Sequence, residues 1–126
     1  GNGYRESTER MMPMTYDEVM ALAQETGLPY AYDHFAEGES PDPPFLIFLF
    51  PRSNNFSADG LVYFKINELH FELYTDAKQP DVEAEVEAVL DRHGLFYDKS
   101  EVWIEDEKLY EVLYEMEVTQ DEQDQV

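Results

Sequence analysis

The chain has 126 residues and carries 29 acidic against 8 basic side chains, which gives a formal net charge of −21. This charge excludes a protein that binds nucleic acid electrostatically, because such binding needs Lys and Arg at the phosphates. Cysteine is absent, which excludes disulfides, thiol catalysis and cysteine-ligated metal centres. About a quarter of the residues are Leu, Ile, Val or Phe, enough for one folded domain. The sequence contains no signal peptide or membrane span, so we expect a soluble protein of a reducing compartment.

The beginning of the chain predicts a leader followed by a helix. Residues 1–10 lack an apolar period, and we expect residues 1–14 to be a disordered leader or added sequence outside the domain. Thr15 followed by Glu18 matches a capping box, in which each residue's side chain accepts the backbone N–H of the other. A helix is therefore predicted from Tyr16 to Thr26, ended by Gly27.

Aromatic-rich segments then predict the first strands. A short strand is expected around Tyr30 to Phe35, and the six apolar residues Phe45 to Phe50 predict a strand covered on both faces. Pro51 is expected to end that strand, and the polar segment Arg52 to Gly60 predicts a loop. Leu61 to Ile66 fits the arm of a long hairpin.

The middle of the chain predicts a strand and a second helix. Apolar residues alternate with polar ones through Leu69 to Tyr74, the period of a strand with one buried face. Pro80 suits the first position of a helix, and Gly94 suits its end. The expected buried stripe of that helix consists of Val82, Val86, Val89 and Leu90.

Two more strands complete the predicted domain. They lie around Leu95 to Ile104 and Leu109 to Val118, joined by a charged turn, and residues 119–126 are expected to form an acidic disordered tail. Both helices need to bury one stripe against a sheet. We therefore predict a single α+β domain over residues 15–118, with a mixed, mostly antiparallel sheet of about five strands and two helices packed on one face.

No catalytic or metal-binding constellation is recognisable. The three histidines, His34, His70 and His93, do not have the short helical spacing of zinc hydrolases. Carboxylate pairs such as Glu68 with Glu72, or Glu101 with Glu105, arise by chance among so many acids. No nucleophile elbow and no phosphate-binding glycine loop occurs. We expect a protein without enzymatic activity, cofactor or metal.

Aromatic residues are more informative, because eight Phe, nine Tyr and one Trp exceed what so small a domain obviously requires. Some are expected at protein contacts, where aromatic side chains bury large area at low entropic cost. The alternative is that they fill the open face of the sheet. Phe56 is the sharpest case, since it stands in a polar loop. The predicted interface residues are Arg52, Asn54, Asn55, Phe56, Leu61 and Tyr63.

Five segments together resemble the prophage tail terminator family, also called tail completion proteins. They are PYAYDHF, PFLIFLFP, LHFELYTD, VEAEVEAVLDRHGLFY and EKLYEVLYEMEV, within Thr15 to Val118. The resemblance implies a non-enzymatic subunit that forms a hexameric ring at the head-proximal end of the tail tube. It would be assembled in the host cytoplasm, would become part of the virion, and would contact the major tail tube protein and the head-tail connector. Its contact regions would correspond to Arg52 to Gly60 and Leu61 to Ile66.

The negative charge fits this resemblance, because a ring through which DNA passes should repel phosphates rather than bind them. The competing hypothesis is an acidic inhibitor that imitates DNA and occupies a nuclease or repressor. Against it, the charges alternate with apolar residues along amphipathic elements, as on an ordinary solvated face. The ring subunit is therefore favoured, with no direct nucleic-acid affinity and no membrane contact.

Overall fold

The computed structural model describes residues 12–53, 56–58, 62–64 and 66–120. In chain order the elements are β1 (Met12–Met14), α1 (Tyr16–Glu25), β2 (Tyr30–Tyr32), β3 (Phe45–Ser53), β4 (Phe56–Ala58), β5 (Val62–Phe64), β6 (Ile66–Thr75), α2 (Pro80–Arg92), β7 (Asp98–Ile104) and β8 (Leu109–Gln120).

The main sheet is five strand positions wide. Its order is β1-β8-β6-β3-β2, and β7 also pairs with β8. Because β6 occupies one edge of β8, both β7 and β1 must lie along the other edge, β7 against residues 109–115 and β1 against residues 118–120. The pairs β1–β8 and β2–β3 are parallel, and the others are antiparallel. The predicted α+β class, with a mixed and mostly antiparallel sheet, is confirmed.

The two helices form where local sequence predicts them. The Thr15 hydroxyl accepts the Glu18 N–H at 3.1 Å, and the Glu18 carboxylate accepts the Thr15 N–H at the same distance, so the capping box is present. Gly27 follows α1 with φ +75°, a conformation that glycine adopts without strain. Pro80 opens α2, with Asp81 and Glu83 in its first turn near the positive end of the helix dipole.

One hydrophobic core joins both helices to the same face of the sheet. The helices contribute three buried residues each, and alternate residues of β3, β6 and β8 complete the cluster. From the helices these are Val19, Leu22, Ala23, Val86, Val89 and Leu90. From the strands they include Leu46, Phe48, Leu69, Phe71, Leu73, Val112, Tyr114, Met116 and Val118. The prediction that both helices pack on one face is therefore confirmed.

Strand β3 departs from its prediction in two ways. It continues through Pro51 to Ser53, where the pairing with β6 shifts register between Leu49 and Arg52. Proline has no N–H to give to the ladder, so within a paired strand it is tolerated where the pairing is irregular, as it is here. The prediction of cover on both faces is also wrong, since Ile47 is only partly buried on the face opposite the helices.

The prediction of a loop from Arg52 to Gly60 is also wrong for each residue of this segment that the structure describes. Arg52 lies in β3, and β4 pairs with β5 in an antiparallel hairpin that places Phe56 opposite Phe64. Cross-strand pairing has overridden the turn-forming composition of this segment. Within the segment expected to be a hairpin arm, β5 pairs with β4 in a two-stranded sheet of its own.

Several predicted boundaries shift. The first strand ends at Tyr32, and the strand predicted from Leu95 begins at Asp98. The domain limits of 15 and 118 omit two segments that lie in the sheet, since β1 pairs with the end of β8 from Met12–Val118 to Met14–Gln120. Residues 1–11 and 121–126, where the remaining leader and tail are predicted, lie outside the described residues.

Neither helix of the described chain is long and apolar enough to cross a membrane.

The capping box predicts a measurable share of the stability. Replacing Thr15 by Ala removes the acceptor for the Glu18 N–H and should lower the free energy of unfolding by about 1 kcal/mol. Thr15→Ser keeps the hydroxyl and should remain close to the parent protein. Urea unfolding followed by circular dichroism measures both, and equal losses in the two variants would contradict the assigned role of the hydroxyl.

Candidate interaction surfaces

Three of the six predicted interface residues lie in strands that the structure describes. Arg52 lies near the end of β3, Phe56 in β4 and Tyr63 in β5. Asn54, Asn55 and Leu61 lie outside the described residues. We define the hairpin arm as β4 with β5. Arg52 thus lies in the main sheet, Phe56 and Tyr63 lie in the two-stranded hairpin arm, and the role of these residues in contacts between subunits stays a prediction.

At the base of the hairpin arm, four charged or titratable side chains meet. Arg52 donates from Nε to Glu68, whose side chain is only 9% exposed. His70 Nε2 lies 2.8 Å from Glu68 Oε1 and 3.5 Å from Glu115 Oε2. Hydrogen bonds from Arg52 and then from His70 hold the pKa of the Glu68 carboxyl below its usual range. We call Arg52, Glu68, His70 and Glu115 the histidine cluster.

Strand register explains why the histidine cluster forms. Glu68 and His70 are two residues apart on β6, so their side chains share a face, and it is the face opposite the helices. Glu115 of β8 pairs with His70, and Arg52 of β3 pairs with Glu68. Sequence reasoning missed this cluster because it tested helical spacing. The pattern that would have identified it is Glu-x-His within a strand, since residues two apart in a strand share a face.

The same face also carries a repulsive pair of carboxylates. Burial raises the pKa of Glu111, and the nearby negative charge of Glu72 raises it further. Tyr74, which pairs with Glu111 across the strands, donates its hydroxyl to Glu72 Oε1 at 3.1 Å. Burial, followed by the charge of Glu72, raises the pKa of Tyr74. The face without helices is thus polar and acidic at its centre.

Edge strand β7 is fastened to α2 by a partly buried network. Lys99 Nζ lies 2.8 Å from Glu83 Oε1 and 2.6 Å from Glu87 Oε2. Tyr114, fully buried on β8, donates its hydroxyl to the same Glu87 oxygen at 2.8 Å. The hydrogen bonds from Lys99 to Glu83 and Glu87 raise the pKa of the Lys99 ammonium. The edge of the sheet is therefore held in a fixed position.

The outer edge of β7 is open and apolar. Among the described residues β7 pairs only with β8, which leaves its other row of backbone groups available. Phe96 is 72% exposed just before the strand, and Val102 and Trp103 are exposed within it. An open cavity of about 340 Å³ beside Phe96 is lined also by Leu95 and Tyr97. We call this surface the β7 edge.

Sequence reasoning did not single out the β7 edge. The alternation of Val102 with its neighbours is the same for a buried strand and for an edge strand, so exposure depends on which strands pair. At the opposite end of the sheet, β2 is also an edge strand, where Tyr16 and Tyr32 are exposed and contact each other with ring centroids 5.2 Å apart.

Comparison with known proteins shows a similarity of fold to a solved structure. No protein-family model matches the chain, and no curated protein sequence matches it. Among solved structures, the fold is similar to that of a chain in the structure described as "Virion of native gene transfer agent (GTA) particle". The TM-score is 0.55 at 15% sequence identity, over 78% of this chain and 82% of the other. At this identity the match shows a shared fold.

The Glu72–Glu111 repulsion predicts a stabilising substitution. Because the folded state raises the pKa of Glu111, the proton binds more tightly to the folded than to the unfolded chain. The ionised carboxylate therefore costs stability, which falls as the pH rises from the unfolded pKa through the folded pKa, and Glu111→Gln should stabilise the protein at pH 7. We expect a gain below about 1 kcal/mol, since water screens this partly exposed pair.

The gain should disappear as the pH falls below the ordinary glutamate value of 4.5, where Glu111 is protonated in both states. Asp106→Asn, in the exposed turn between β7 and β8, removes the same formal charge and serves as the control. Thermal unfolding across pH 3 to 8 measures both. An equal gain in the control would show that only net charge matters.

Proposed function

We propose that this protein is a non-enzymatic structural subunit of a phage-like virion, and specifically a tail terminator. In this role it forms a ring at the head-proximal end of the tail tube and joins the tail to the head connector. The observation that carries the proposal is the fold shared with a chain of a gene transfer agent virion, which covers most of both chains. The five segments that resemble the tail terminator family fall on β2, β3, β6, α2 and β8.

The surfaces of the chain are suited to self-association. The hairpin arm extends beyond the main sheet, whereas the β7 edge lies on a different strand at the side of the sheet. A contact between two different surfaces of identical chains is heterologous, and it closes into a ring when the rotation between neighbours allows it. The exposed Phe96 and Trp103 supply apolar area for such a contact.

The net charge of the chain has two opposite effects on the proposed ring. Six chains of charge −21 carry 126 formal negative charges, a field that repels DNA passing through the lumen. The same field opposes closure of the ring. Exposed charges are screened beyond about 8 Å at physiological ionic strength but only beyond about 30 Å at 0.01 M, so dilute buffer leaves the repulsion nearly complete.

Salt should therefore favour association. Light scattering of the purified chain should show the mass rising from 14.8 kDa toward six times that value as NaCl or protein concentration increases. A labelled DNA duplex added to the same titration should remain unbound at physiological salt. Association that weakens with salt would refute the charge argument. Only monomer at every concentration, together with tails that lack the protein at the tube end, would refute the ring.

Two substitutions test the proposed surfaces. Phe96→Ser and Phe56→Ala should each shift the association midpoint at least about tenfold, because aromatic anchors dominate such contacts. Ala88→Ser, on the exposed side of α2, is the control and should leave association unchanged. Thermal unfolding of the monomer checks folding. A large stability loss in Phe56→Ala would place Phe56 in the core instead, and unchanged association in both variants would refute these surfaces.

A further inference from the structure

The geometry points to a divalent transition-metal site in the histidine cluster, with His70, Glu68 and Glu115 as ligands to an ion of the Zn²⁺ type. One nitrogen or oxygen atom from each of the three side chains lies within 4.8 Å of the other two. The site is independent of the proposed ring, since all three ligands belong to β6 and β8 of a single chain.

The distances already approach those of a metal site. Zn²⁺ holds nitrogen at about 2.0 to 2.1 Å and carboxylate oxygen at about 2.0 to 2.2 Å, so ligand atoms in a tetrahedral site are separated by roughly 3.3 Å. The separations from His70 Nε2, 2.8 Å to Glu68 and 3.5 Å to Glu115, bracket that value.

The backbone pre-organises the three ligands. His70 and Glu115 are a directly opposed cross-strand pair, and Glu68 stands two residues before His70 on the same face. Strand β6 is flanked by β3 on one side and β8 on the other, so the register cannot slip without moving the core. A site built on paired strands holds its ligand positions more precisely than one built on loops.

Arg52 acts as an orienting residue for Glu68. It binds one carboxylate oxygen, Oε2, and leaves Oε1 directed at His70. In metal sites, a group that binds the second oxygen of a ligating carboxylate in this way fixes the orientation of that carboxylate. When the ion binds, the His70 proton resides on Nδ1, and the Nε2 lone pair that faces Glu68 and Glu115 becomes the ligand.

The local charge matches a divalent cation. Glu115 and Glu117 both lie near enough to Arg52 to raise the pKa of its guanidinium, after the larger effect of Glu68. Three carboxylates and one guanidinium, with a neutral imidazole, leave two negative charges, which one divalent ion neutralises. The mixed imidazole and carboxylate ligands favour a transition ion over Mg²⁺ and Ca²⁺, which prefer sites made of oxygen alone.

The other two histidines provide matched controls. His34 contacts Asp33 at 2.8 Å, and His93 contacts Glu25 at 2.7 Å, where Arg92 also binds. Among the described residues only His70 is grouped with two carboxylates in ligand geometry. A variant at His93 therefore removes an imidazole of similar surroundings without touching the proposed site.

The test is calorimetric titration of the full chain with Zn²⁺, supported by Co²⁺ absorption spectra and the imidazole nitrogen shifts of His70 by NMR. We expect one site per chain, with His70→Gln and Glu115→Gln each weakening binding at least about tenfold. His93→Gln should bind as the parent does, and Mg²⁺ should not replace Zn²⁺. Glu115 is 41% exposed, so Glu115→Gln should fold even where His70→Gln does not.

Three results would overturn the site. Unchanged Zn²⁺ affinity in Glu115→Gln would remove that ligand from it, and an equal loss in His93→Gln would assign the binding to histidines in general. Equal binding of Mg²⁺ would show only condensation of cations on an acidic surface. The state of association is irrelevant to each result, so failure here leaves the proposed ring subunit untouched.

Discussion

The pairing of β6 with β8 is the constraint on which the rest of the molecule depends. It runs without a break for ten residue pairs, from Ile66–Thr119 to Thr75–Tyr110. Side chains alternate between faces along a strand, so this register sends Leu69, Phe71 and Leu73 toward the helices. A slip of one residue in either strand would exchange its core residues for charged ones, at the cost of the apolar burial that holds both helices.

The same register determines what the other face contains. Because the apolar residues of β6 and β8 point toward the helices, these strands present mainly His and Glu on the opposite face, and no helix of the described chain covers them. Attraction and repulsion are both found on that face. Glu68 is stabilised as an anion by Arg52 and His70, whereas Glu72 raises the pKa of Glu111 further along the same strands. One face therefore supplies stability, and the other holds the ionisable groups.

The sequence predicts those elements of the structure that are determined by contacts between residues close together in the chain. The capping pair Thr15 and Glu18 and the terminal residues Gly27 and Pro80 act within one or two helical turns, so both helices are predicted nearly to the residue. The alternation through Leu69 to Tyr74 likewise identifies β6.

The missed features depend on partners far away in the chain. Strand β1 exists because its residues pair with Val118 to Gln120, and Pro51 stays within β3 because the ladder is irregular there. The histidine cluster needs three strands in register, and the openness of the β7 edge follows from strand order, neither of which composition encodes. Arg52 and Phe56, predicted contact residues placed in a loop by composition, both lie in strands.

Charge pairing bears on the contact proposed at the β7 edge. Every Lys and Arg within the described residues forms an ion pair with a carboxylate; they are Arg52, Lys78, Arg92, Lys99 and Lys108. Two of these cations involve β7, since its Lys99 binds the acids of α2 and its Glu101 is bound by Lys78.

The charges near β7 matter most for a contact at that edge, because salt screens distant charges more strongly than near ones. The unpaired acids elsewhere are balanced by mobile counterions, and they act against association only over the screening length. The exposed Phe96, Val102 and Trp103 stand on or beside β7, where Lys78 pairs with Glu101 and Lys99 pairs with the acids of α2. A contact centred on the Glu72 and Glu111 face would instead meet a pair of carboxylates that already repel each other.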